Sequence, residues 1–173
     1  VFINIANVII DGGLNTALIQ KKNANKTDFS TIFYATMVAS LFIYVILFLS
    51  APAIASFYSQ PSLDYVIKVV GTCLFAYAFN SIQRAYISKH MLFKNLFLSS
   101  LLSTIIAGAI GIVLAYRGYG IWALVYHYIA SGYIMALVMF ATVKWRPDLS
   151  FSLASFKTLF DYGWKIFLSN FMI

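Results

Sequence analysis

Long apolar blocks separated by short polar gaps dominate this chain. Five blocks, roughly 4–19, 30–58, 66–88, 95–116 and 119–143, carry few charges, and a sixth begins near Phe160. A helix needs about 20 mostly apolar residues to cross ~30 Å of hydrocarbon. The pattern therefore predicts an all-α polytopic membrane protein with five transmembrane helices and the start of a sixth.

The gaps alternate in charge. Lys21, Lys22 and Lys26 follow the first block, Arg84, Lys89 and Lys94 the third, and Lys144, Arg146 and Lys157 the fifth. The gaps 59–65 and 116–120 hold only Asp64 and Arg117. Lys and Arg are retained on the cytoplasmic side during insertion, so 21–28, 84–94 and 144–158 are expected there.

Local signals refine the spans. Gly12-Gly13 beside Asp11 marks a kink or a close helix approach in the first span. Thr27 or Asp28 is expected to cap the second, which Pro52 kinks or thins near its far end. Ala107, Gly111 and Ala115 form a small-residue series suited to close helix packing. Tyr116-Arg117-Gly118-Tyr119-Gly120 reads as a tight turn. Over 149–161, Leu149, Phe151, Leu153, Phe156, Leu159 and Phe160 alternate with polar residues, as in a short amphipathic helix lying on the cytoplasmic surface.

Composition supports the same class. The chain is 62% hydrophobic, with a mean hydropathy of +0.85, against about 45–50% apolar for soluble domains. Only 10% of residues are charged, too few to cover a soluble surface. The net charge of +7 sits in short loops beside apolar spans, which favours anionic membrane lipids over nucleic acid as its partner. The first residue, Val1, already lies in an apolar run, and the chain closes on Phe171-Met172-Ile173 inside an unfinished span. It is expected to be an internal fragment of a longer, transporter-sized protein.

Catalytic signatures are lacking. His90 and His127 are far apart and Cys73 is alone, so no metal site is expected, and no cofactor motif is present. The polar residues inside the spans hold the remaining candidates for chemistry. Asp11 reads either as an interfacial acid bonding a neighbouring helix or as an ion-coupling site. Asn80, Gln83 and Arg84 recur at i, i+3 and i+4 and so share a helix face. That face either reaches the interface or forms the mouth of a cavity for an anionic head group. Lys68 is an outer-interface anchor or, on the sharper reading, a cavity cation. His127 serves helix–helix hydrogen bonding or proton coupling.

Several segments together resemble a known family. They are Gly12 to Lys22, Ser81-Ile82-Gln83-Arg84-Ala85, Leu92-Phe93-Lys94, Gly118 to Val125, Trp145-Arg146-Pro147 and Tyr162-Gly163-Trp164. Their order is similar to that of polysaccharide-export flippases of the Wzx/PST type, in the multidrug/oligosaccharidyl-lipid/polysaccharide exporter superfamily. The resemblance implies a two-lobe transporter with six helices in each lobe. Such a protein moves polyprenyl-pyrophosphate-linked oligosaccharide units across the cytoplasmic membrane of bacteria by alternating access. Residues 1–143 would then form most of the N-terminal lobe, 144–158 a cytoplasmic linker, and 159–173 the start of the first helix of the other lobe. Arg84, Asn80, Gln83 and Lys68 become substrate-binding candidates, and Asp11 and His127 candidates for coupling to H+ or Na+. The alternatives are a cation-coupled multidrug antiporter of the same superfamily and a membrane-embedded polysaccharide ligase or polymerase.

Overall fold

The structure, a computed structural model, describes residues 2–11, 13–22 and 24–171. The described residues form eight helices: α1 (Phe2–Asp11), α2 (Leu14–Gln20), α3 (Lys26–Phe57), α4 (Ser62–Gly71), α5 (Cys73–Lys89), α6 (Phe93–Tyr116), α7 (Ile121–Thr142) and α8 (Leu153–Phe171). Among the described residues four stretches are long and apolar enough to cross a membrane: α3, α4 with α5 as one 28-residue run, α6 and α7. Large apolar side chains point outward along them, including Val38, Phe42, Leu49, Ile105, Leu124 and Leu137. That inverted surface belongs in lipid, where apolar side chains need no cover. This is a multi-pass membrane protein.

The first block divides where the glycines predicted. Gly13 adopts φ 72°, a left-handed conformation that Gly reaches without penalty, and it separates α1 from α2. The cap of α3 differs from expectation. Asn25, not Thr27 or Asp28, is the N-cap, and its backbone N–H donates to the Asp28 carboxylate at 2.9 Å. Asp28 is thereby the N3 acid of a capping box, and Lys21 pairs with it at 2.8 Å. α3 continues through Pro52 to Phe57, 32 residues or about 48 Å at 1.5 Å per residue. The turn into α7 uses Gly118 (φ 81°) and Gly120 (φ 54°), both left-handed, as a tight reversal requires.

The three basic segments converge at one end. The Lys89 ammonium, at the end of α5, donates to the carbonyls of Leu18 and Ile19 in the last turn of α2 and of Lys21 just after it. Asn95 Nδ2 donates to the Thr142 carbonyl at 2.9 Å, joining the start of α6 to the end of α7. Trp145 is buried at this end, with ring centroids about 6 Å from Phe29 and Phe33 and 6.3 Å from Tyr86.

The segment after α7 differs from the expected surface helix over 149–161. Residues 143–152 are not helical, so Leu149 and Phe151 precede the helix. The Asp148 and Ser152 backbone N–H groups donate to the Ser30 and Thr31 hydroxyls at 2.9 and 3.1 Å. Pro147 has no N–H and holds Arg146 away from helical geometry. Ser152 then opens α8, its Oγ accepting from the Ser155 N–H at 3.3 Å. α8 runs unbroken across 158–159, and Tyr162 donates to Gln20 at 2.7 Å.

Candidate functional site

α5 packs between α2 and α7, and the seam among the three is incomplete. A cavity of about 360 Å³ lies there. α2 contributes Asn15 and Ile19. α5 contributes Cys73, Tyr77, Asn80, Ser81, Arg84, Ala85 and Ser88, and α7 contributes Tyr128, Ser131, Gly132 and Met135. Along α5 it extends from Cys73 to Ser88, about 22 Å at 1.5 Å per residue. The polar part of the lining is unusual for the interior of a membrane protein: among the described residues it holds two amides, five hydroxyls and one guanidinium and no carboxylate, beside apolar groups such as Ile19, Ala85 and Met135. Polar groups at membrane depth are costly, so their convergence on one space marks it as the candidate site.

The polar groups are held in place by their neighbours. The Asn80 side-chain amide donates to the Gly132 carbonyl at 3.0 Å, while its Oδ1 is buried with no hydrogen-bond partner. Ala76, one turn before Asn80, lies against Gly132: a Cβ there would sit 3.6 Å from the Ala76 Cβ. That close approach brings the backbone carbonyl within reach of Asn80. Asn15 donates to the Ser81 hydroxyl, tying α2 to α5 across the cavity wall. Arg84 is exposed, one Nη resting 3.2 Å from the Met135 sulfur. A thioether is a weak acceptor, so this guanidinium keeps most of its hydrogen-bonding capacity for an anion.

The sequence-derived candidates separate. Asn80 and Arg84 meet in the cavity. Gln83 is fully buried outside its lining, and neither side-chain amide atom has a hydrogen-bond partner. Geometry explains the split. At 100° per residue, Arg84 lies about 40° ahead of Asn80 around the helix, and Gln83 about 60° behind. The cavity takes the forward side, with Tyr77, Ser81 and Ser88.

Lys68 lies on α4 and pairs with Asp64 one turn earlier at 2.8 Å, its ammonium 5.0 Å from the Phe48 ring centroid. His127 packs against α6: a Cβ on Gly111 would lie 3.1 Å from the His127 Cβ. Neither lines the cavity. The Asp11 side chain lies outside the described residues. Asn15 was not singled out from the sequence, although it stands in the Gly12 to Lys22 segment. Among the described residues no group of three His, Cys, Asp or Glu side chains could hold a metal ion.

The fold and this cavity define a class, multi-pass membrane proteins with a polar cleft between spans. Within it, the chain belongs to the polysaccharide biosynthesis protein family, whose model matches residues 1–173. It is similar to the teichuronic acid biosynthesis protein TuaB of Bacillus subtilis, with 22% identity over 91% of this chain and 33% of that protein. It is also similar to the succinoglycan biosynthesis transport protein ExoT of Rhizobium meliloti, with 22% identity over 87% of this chain and 31% of that protein. The chain thus spans about a third of the length of these relatives. No solved structure matches it.

Proposed function

We propose that this chain is most of one lobe of a two-lobe, six-plus-six-helix transporter. The parent protein flips polyprenyl-pyrophosphate-linked oligosaccharides from the cytoplasmic to the outer leaflet of the bacterial inner membrane by alternating access. On this reading α1 and α2 form one broken span, α8 begins the second lobe, and 21–28, 84–94 and 144–158 face the cytoplasm.

The observation that carries the proposal is the polar cavity with Arg84 in its wall and no acid among its described lining residues. A pyrophosphate-linked glycan cannot enter hydrocarbon unaided, because its charges and hydroxyls would lose their water. A cleft supplying amides and hydroxyls replaces that water, while the polyprenyl tail stays in lipid. Arg84 receives the pyrophosphate by charge-assisted hydrogen bonds. Asn15, Asn80, Ser81, Ser88 and Ser131 offer donors and acceptors to sugar hydroxyls. Lys68, already paired with Asp64, serves as an anchor at the opposite end. Coupling to H+ or Na+ would fall to Asp11, with His127 occupied in helix packing.

A cation-coupled drug antiporter is the second reading. It needs an acid in the cleft to attract a cation, and the described lining has none. The test is complementation of an export-deficient strain with the full-length parent and its Arg84→Ala variant. Surface polysaccharide should return with the parent and fall at least about tenfold with the variant at equal membrane abundance, as expected for losing a charged hydrogen bond of roughly 1.5–3 kcal/mol. Unchanged export by Arg84→Ala would remove Arg84 from the mechanism. A parent inactive in every glycan background, yet active in drug efflux, would favour the antiporter.

A further inference from the structure

α7 presents one stripe of residues to its neighbours, and that stripe borders two separate spaces. Ile121, Leu124, Val125 and Tyr128 line a crevice of about 300 Å³ with Ile3 and Asn4 of α1 and Val70 of α4. Tyr128, Ser131, Gly132 and Met135 line the polar cavity. The spacing of three and four residues puts all of these on one helix face. Tyr128 is the member common to both spaces.

The two spaces lie at different depths. The polar cavity extends toward the basic end, past Arg84 to Ser88. The crevice reaches from Tyr128 to the first residue of α7, seven residues or about 10 Å further outward. Together they extend over about the thickness of the hydrocarbon layer. Tyr128 carries the bulkiest ring on this face and stands near Asn7 of α1. Although it sits among helices, the residue is 43% exposed, consistent with open space on either side of the ring.

We propose that the Tyr128 ring is the outer closure of the cavity: it separates an inward-facing polar cleft from an outward crevice, and its displacement joins them into one path. The inference rests on reading the cavity as a substrate path. The ring suits the task because it excludes water by bulk, while its hydroxyl keeps a polar partner when buried. It introduces no charge that would trap an anionic head group.

Cys73 lines the cavity at its outer end, next to Tyr128, and supplies a built-in reporter. The experiment uses the full-length parent in intact cells, with any other cysteines replaced by serine, and a membrane-impermeant maleimide added outside. Tyr128→Ala should raise the labelling rate of Cys73 at least about tenfold by opening a path wide enough for water. Tyr128→Phe, which keeps the ring, should label at the parent rate. Ser131→Cys in a Cys73→Ser background is a second reporter with the same expected response. Tyr128→Leu replaces the alanine variant if that one fails to accumulate in the membrane, and should give an intermediate increase.

Outside labelling that stays at the parent rate in the Ala or Leu variant, while both reporters react fully in detergent, would overturn the closure. Equal acceleration by Tyr128→Phe would also overturn it, by assigning the seal to the hydroxyl. Labelling needs no glycan. A parent inert in complementation whose Tyr128→Ala variant still opens would keep the closure and refute the glycan reading.

Discussion

α7 makes two seams, and they are built in opposite ways. Toward α6 the contact is close: Ala107 is fully buried, and Gly111 leaves room for His127 at a distance a methyl group would fill. Toward α5 the same helix leaves a cavity whose walls carry amides, hydroxyls and one guanidinium among apolar groups. In lipid no hydrophobic effect draws helices together, so a stable seam relies on close packing of small residues. A seam left open and polar gives up that packing. On the proposed reading, the α6 side of α7 serves stability and the α5 side binding.

Substitutions can break or sharpen this contrast. The largest effect is expected from Gly111→Leu, which forces α6 away from His127. Overpacking of this kind costs typically about 1–3 kcal/mol. A lower thermal midpoint of the detergent-solubilised parent should follow, and an unchanged midpoint would show that the seam is looser than it looks. Asn80→Leu comes next. It removes the bond to Gly132 and a buried acceptor facing the cavity, so export should fall several-fold while the protein still accumulates; the surface-polysaccharide assay decides.

Gln83→Leu should act in the opposite sense. Removing an amide buried without partners relieves a desolvation cost of about 1–3 kcal/mol, so the midpoint should rise and export should hold. Lost export would return Gln83 to the binding face. Lys68→Ala should move the midpoint least, because a partly exposed pair contributes roughly 0–1 kcal/mol. A larger drop would mean that the Lys68–Asp64 pair holds α4 in place.

Much of the fold was legible in the sequence because bilayer thickness constrains it strongly. Apolar block length predicted α3, α6 and α7, and the glycines at 13, 118 and 120 predicted the breaks that their positive φ values make. The alternation of Lys and Arg predicted that three distant segments would lie at one end, as the Lys89 contacts to α2 and the bonds of Asp148 and Ser152 to the start of α3 show. The site was legible only in part. Helical spacing places Asn80, Gln83 and Arg84 within a 100° arc, but the neighbouring helices decide which side of that arc faces open space. No local pattern reveals that Asn15 will meet Ser81, 66 residues away. The start of α8 was missed for a related reason, since the hydroxyls that bond the preceding strand of chain lie on α3.

Those hydroxyls make the connection between α7 and α8 a stiff part. Ser30 and Thr31 are fully buried in the first turns of α3, and they hold the chain at Asp148 and Ser152. A connection pinned at two points four residues apart has little slack. Tilting α8 would therefore drag the base of α3, and tilting α3 would swing α8, so the segment works as a crank between them and not as a string.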